Sequence, residues 1–145
     1  MDLTDVGVLP KHVKNLRILA DHLATLPAEY ESFSMANYVY QNAADDAGPH
    51  ELSTIPCNTV ACSIGHGPSA GIPVGDCESW YEYIKENLCL PKTLACDWLF
   101  SSNWTFVDNT PQGAAARIKY LLEHGLPDDY QAMQVGKLKY PWEVS

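Results

Sequence analysis

A chain of 145 residues, 46% hydrophobic and 19% charged, has the size and apolar content of one folded domain, which excludes wholesale disorder. Eighteen acidic residues against nine basic ones leave a net charge of −9, so phosphate backbones repel the chain and direct nucleic-acid binding is not expected. No stretch approaches the roughly 20 apolar residues of a membrane span, and Met1-Asp2-Leu3-Thr4-Asp5 lacks the basic and apolar regions of a signal peptide, so a cytoplasmic protein is expected.

Residues 1–9 carry no periodicity and are expected to hug or trail from the body. From Pro10 a helix is predicted, with Val13, Leu16, Ala20, Leu23 and Leu26 on one apolar face and Pro27 closing it. Residues 30–41 alternate enough to predict a short strand, with Phe33, Met35 and Val39 on one face and Tyr38 and Tyr40 on the other. A loop composition follows over 42–56. Residues 57–64 read as a short buried helix capped by Asn58 or Thr59 and ended by Gly65 or Gly67. After a Gly/Pro loop, Ser79 and Glu82 have capping-box spacing, and the helix beyond places Trp80, Ile84 and Leu88 on one stripe until Pro91 breaks it.

Thr93 can cap another short helix in which Leu94, Trp98 and Leu99 face inward. Residues 100–107 read as a strand or an extended run. The clearest helix starts at Thr110 and Pro111, carries Ala114, Ile118, Leu121 and Leu122 on its apolar face, and ends at Gly125. The tail holds a weak strand signal at 135–140. These elements predict a single mainly helical α+β domain over 1–145: four to five short helices around a small β element, with 1–9 and 128–145 at the periphery.

The charge layout is one-sided. Between Ile18 and Ile84 there is no lysine or arginine, while Asp21, Glu29, Glu31, Asp45, Asp46, Glu51, Asp76, Glu78 and Glu82 equal the whole net charge. Such a stretch suits docking of a basic protein, mimicry of nucleic-acid phosphates, or a divalent cation; it also suits a surface that merely keeps the protein soluble. The Asp-x-Asp-x-Asp-Gly pattern of a calcium loop is not present in the sequence.

The five cysteines are Cys57, Cys62, Cys77, Cys89 and Cys96, an odd count that reads as reduced thiols rather than a disulfide scaffold. Asn103-Trp104-Thr105 matches a glycosylation sequon, idle in a protein that is not secreted. Three readings compete for the Cys57 to Pro68 segment. Cys57, Cys62 and His66 are zinc-type ligands, with Cys77 as a fourth. Alternatively, Cys57 is a nucleophile with His50 or His66 as its base and Asp108 or Asn109 orienting it. In the third reading, the small residues serve close packing and the glycines serve backbone geometry. The aromatics Trp80, Tyr81, Tyr83, Trp98, Phe100 and Trp104 fit a core better than a ligand pocket.

The run Cys57-Asn58-Thr59-Val60-Ala61-Cys62-Ser63-Ile64-Gly65, with Phe33, Met35 and Tyr38 before it and Trp98-Leu99-Phe100 and residues 108–122 after it, resembles a group of small bacterial and phage proteins. That group carries a Cys-Gly-Thr-x-x-Cys-x-x-Gly helix behind a Phe-x-Met-x-x-Trp/Tyr strand, and the resemblance spans residues 13–127. Asn58 stands where the group has glycine. The group has no established activity, so the resemblance implies a phage or prophage context and transfers no catalytic residue.

These readings lead to a small acidic accessory protein of phage type, non-enzymatic, in the host cytoplasm. It would bind a basic host or phage protein through the nine acids of the 18–84 half, inhibiting a defence or nucleic-acid-handling protein. The alternatives are a zinc-binding or thiol hydrolase protein built on Cys57, Cys62 and His66, and a structural component of the virion.

Overall fold

Pro10 supplies a first turn that needs no N–H donor, and the apolar residues after it recur at helical spacing. In the computed structural model, which describes residues 3–27, 39–40, 60–61, 66–67, 70–77, 80–101, 103–104 and 107–143, this becomes the longest helix. The elements in order are α1 (Leu3–Val6), α2 (Pro10–Ala24), β1 (Val39–Tyr40), β2 (Val60–Ala61), α3 (Trp80–Asn87), α4 (Leu94–Phe100), α5 (Pro111–His124), α6 (Tyr130–Gln134) and a closing 3-10 turn (Pro141–Glu143).

The most extensive packing is α2 against α5, with α3 on α2 and both α4 and α6 completing the other side. Leu16, Leu19, Ala20 and Leu23 of α2 and Ala114, Ala115, Ile118 and Leu121 of α5 are buried. Each leucine so placed contributes about 1.5–3 kcal/mol of transfer free energy, while the small residues of α5 let the helices approach closely. Thr110 caps α5 by accepting the Gly113 N–H at 3.0 Å, and the Gly125 N–H closes its far end on Leu121 O at 2.9 Å. Both chain ends, expected at the periphery, supply buried side chains: Val6 and Val8 from one, Tyr130, Met133 and Tyr140 from the other.

The α+β expectation is corrected. Sixty per cent of the described residues are helical. The extended backbone amounts to one antiparallel contact of two residues on two, Val39 opposite Ala61 and Tyr40 opposite Val60, which makes no sheet layer. A pair this short is not stable by itself. Val60 and Ala61 lie in that contact, so they are extended where a helix over 57–64 was expected; the other residues of that helix, and residues 30–38 and 41 of the expected strand, lie outside the described residues.

Among the described residues of the two later segments no strand forms, because the backbone donors go into turns. The Trp104 N–H bonds Ser101 O at 3.4 Å, and the Val107 and Asp108 N–H groups bond Trp104 O at 3.2 and 2.8 Å. At 135–140 the Lys137 and Leu138 N–H groups return to Ala132 O at the end of α6, through Gly136 with φ of +77°. Donors spent this way are not available to a ladder. Leu94, expected to face inward, is 51% exposed, whereas Trp98 and Leu99 are buried as expected.

Candidate functional site

Residues 73–77 form the turn that leads toward α3, and α3 presents Glu82 and Glu86 one helical turn apart on one face. Asp76, Glu82 and Glu86 thereby line a single open groove of about 500 Å³ with Val74, Cys77 and Asn87. Asp76, Glu82 and Glu86 are exposed, while Cys77 is buried at the groove's floor. Burial pushes the Cys77 thiol up, and the negative charges of Glu82, Glu86 and Asp76 push it further. All three carboxylates therefore act on one point. Lys11 of α2 reaches Glu86 at 3.5 Å, both side chains more than half exposed. An exposed pair of this kind adds little stability, and its position is the rim.

The nine acids of the 18–84 half do not all share this place. Asp76 and Glu82 do. Asp21 instead lies across α2 and α5 from Lys119, at 3.6 Å between exposed side chains, so a base from outside the acidic half serves as its counterion. Glu29, Glu31, Asp45, Asp46, Glu51 and Glu78 lie outside the described residues. Glu86, which the sequence reading left out because it lies just past the lysine-free span, is the third member. Its spacing four residues after Glu82 was the available signal.

Of the cysteine–histidine residues, Cys57, Cys62 and His50 lie outside the described residues. His66 is buried with its ring 6.0 Å from that of His22. Its neighbour Gly67 answers a need for space: a Cβ there would overlap the Tyr83 hydroxyl, which donates to Ile72 O at 2.8 Å. Cys77 faces the acidic groove. Among the described residues, no group of three or more His, Cys, Asp or Glu is arranged to hold a metal ion. Asp108 is committed to a different cluster, beside Asn109 at the start of α5.

That cluster was missed by the sequence reading. Arg117 occupies the apolar face of α5 between Ala114, Ile118 and Leu121 and is fully buried. Its Nη1 donates to the Tyr140 hydroxyl at 2.8 Å and lies 3.6 Å from Asp108 Oδ2. Tyr140 donates in turn to Asp108 Oδ2 at 2.9 Å, and the Thr110 hydroxyl donates to Asp108 Oδ1 at 2.6 Å. Burial lowers the Arg117 pKa, opposed by Tyr140 and Asp108. Burial first, and Asp108 among the neighbouring charges, push the Tyr140 phenol up. The arrangement is a structural clasp joining the tail to α5. An arginine at a core position of an otherwise apolar stripe was the signal.

Among the described residues, no helix is long and apolar enough to cross a membrane. No family model, curated protein or solved structure matches the chain.

Proposed function

We propose that the protein is a small accessory protein of phage type that binds a basic partner through the groove formed by Asp76, Glu82 and Glu86. The observation that supports this reading is the convergence of three carboxylates, from a loop and a helix, on one groove over the Cys77 thiol. Like charges gathered this way repel one another and are relieved when a cationic side chain enters. The partner class that fits is the phosphate-binding face of a host nucleic-acid-handling or defence protein, whose lysines and arginines would otherwise meet phosphate. Asp21 does not line this groove and is not part of the contact.

Complementary charge of this kind speeds encounter and makes affinity depend on salt. The test is capture of partners from a host lysate by the immobilised protein, beside the triple variant Asp76→Asn, Glu82→Gln, Glu86→Gln. Capture that is lost in the variant, and also lost near 1 M salt where the screening length is about 3 Å, is the expected result. A partner held equally by both proteins in high salt would overturn the reading.

A further inference from the structure

The turn after α6 is exposed along its length and fixed at both ends. Gly136 takes a φ of +77°, and the Lys137 and Leu138 N–H groups bond Ala132 O at 2.8 and 3.3 Å. On one side Gln134 is buried and donates through Nε2 to Asp97 O at 2.8 Å; on the other, Tyr140 is buried in the clasp with Arg117 and Asp108. The residues between them, 135–139, are all exposed. Leu138 is 47% exposed with a lysine on either side, and neither Lys137 nor Lys139 makes an ion pair among the described residues. An apolar side chain between two cations, on a backbone already ordered, loses little further freedom on docking.

The groove of Asp76, Glu82 and Glu86 carries the complementary features. Its three carboxylates are exposed, and Pro73, Val74 and Cys77 give it an apolar lining. Glu82 and Glu86, one helical turn apart, hold their Cβ atoms about 5–6 Å from each other. Lys137 and Lys139 are two residues apart, which keeps their Cα atoms within about 7 Å. One carboxylate can therefore meet each ammonium while Leu138 covers Val74. The Lys11–Glu86 pair at the rim, with both side chains more than half exposed, is exchanged at little cost. The turn does not line the groove of its own chain, so a lysine from this turn enters the groove only from another molecule.

We propose that the 135–139 turn of one copy docks into the acidic groove of a second, with Lys137 and Lys139 on the carboxylates and Leu138 on Val74. The contact is heterologous: each copy offers one turn and one groove, so docking repeats head to tail. The inference rests on the reading that this groove accepts cationic side chains, and it adds regulation, since a second copy and a basic partner compete for the same carboxylates. Each chain carries a net charge of −9, so whole copies repel at long range while turn and groove attract at short range. Repulsion governs at about 0.01 M salt, where the screening length is about 30 Å. At about 0.1 M that length falls to about 10 Å and leaves the local attraction; near 1 M, at about 3 Å, both are weakened. Association should therefore pass through a maximum as salt is raised.

The test is sedimentation velocity of the full chain over a concentration series at those three salt levels. Beside it run a turn variant (Lys137→Gln, Lys139→Gln) and a groove variant (Glu82→Gln, Glu86→Gln), all four positions being exposed. The native chain should show a mass that rises with concentration, most at the intermediate salt, and each variant alone should stay a monomer. Mixed in equal amounts, the two variants should form a dimer and nothing larger, because each pair holds one working turn and one working groove. A native chain monomeric throughout, variants that associate as the native chain does, or a mixture that stays monomeric would overturn the proposal. So would a monomeric native chain that binds vesicles of phosphatidylserine and phosphatidylcholine through Lys137 and Lys139. The turn variant keeps the groove and should still capture a basic partner from lysate; that capture beside a monomeric native chain would remove the self-docking alone.

Discussion

The guanidinium carbon of Arg117 lies 4.2 Å from the centre of the Trp104 ring, inside the core. The stacking gives a desolvated cation a partner on its flat face, worth about 2 kcal/mol where water is excluded. On its edge Arg117 has Tyr140, Asp108 Oδ2 at 3.6 Å and the Asp108 carbonyl at 3.5 Å, while Nε and Nη2 have no hydrogen-bond partner. Trp104 is itself anchored, its indole N–H donating to Trp98 O at 2.8 Å, and the Trp98 indole N–H donates to Arg117 O at 3.0 Å. The chain thus runs in a ring from α5 through two tryptophans and back to α5. The tail joins through Tyr140, which also stacks on Trp142 at 4.3 Å.

A cation buried with incomplete hydrogen bonding predicts an asymmetric response to substitution. Arg117→Ala removes the stacking and leaves a cavity beside Trp104, and Asp108 loses its cation; the expected loss is about 3–5 kcal/mol. Arg117→Met combined with Asp108→Asn keeps the volume and removes both charges, and should recover most of that loss. Urea denaturation midpoints of the three proteins measure the difference. A double variant no more stable than Arg117→Ala would show that the charges themselves, and not filled space, hold the clasp together.

Gly113 lies in the first turn of α5, where alanine ordinarily stabilises a helix by about 1 kcal/mol over glycine. Here the sign should reverse. A Cβ built on Gly113 would overlap the Asp108 carboxylate, which is held by the Thr110 and Tyr140 hydroxyls. Gly113→Ala must therefore displace Asp108 and strain the cap that Thr110 makes on the Gly113 N–H. Thermal unfolding of this variant should show a lowered midpoint. A raised midpoint would mean that Asp108 moves aside freely.

Helices α2 and α5 were legible from sequence because proline, threonine and glycine punctuate them and their apolar positions recur at helical spacing. Of the residues that the pattern selected, Leu16, Ala20, Leu23, Ala114, Ile118 and Leu121 are buried, and Val13, Leu26 and Leu122 are partly buried. The segments at 100–107 and 135–140 were misread because aromatics mark burial as readily as strands; Trp104 and Tyr140 are buried on turns, while Val107 and Val135 are exposed. Arg117 stands out within the stripe, but periodicity treats any charge as outward, and its partner Tyr140 lies 23 residues away in the tail. In the candidate groove, Asp76 and Glu82 were among the acids singled out. Glu86 was excluded by a boundary drawn at lysines rather than by helical spacing.

His12 links α2 to α3 through one ring nitrogen, and only its neutral form can also accept the Leu9 N–H through the other. Its Nδ1 accepts the Leu9 N–H at 3.0 Å, so Nε2 carries the proton and donates to Lys85 O at 2.8 Å. Burial is the largest cause that lowers its pKa from 6.5, and burial also lowers that of His22. A lowered value means that the unfolded chain binds the proton more readily. The contribution is therefore complete above pH 6.5 and is lost as pH falls through the folded-state value. Stability measured from pH 8 downward should decline below about 6.5, and His12→Gln should shrink that decline while lowering stability at pH 8. An unchanged pH profile in His12→Gln would place the proton uptake elsewhere.

Cys77 provides an internal probe of the acidic groove that requires no partner. Its thiol is pushed up first by burial and then by Glu82, Glu86 and Asp76 in that order. Neutralising Glu82 and Glu86 together, by Glu82→Gln and Glu86→Gln, leaves the burial in place and removes the two larger charge contributions. The thiolate fraction at pH 8 should rise, and alkylation of Cys77 by an uncharged reagent should accelerate by about two- to threefold, a modest factor because solvent screens exposed carboxylates. Added salt should speed the native protein toward the rate of the variant while changing the variant little. A native rate indifferent to both salt and neutralisation would mean that the three carboxylates do not act together on the groove floor, and would remove the electrostatic ground for a basic partner there.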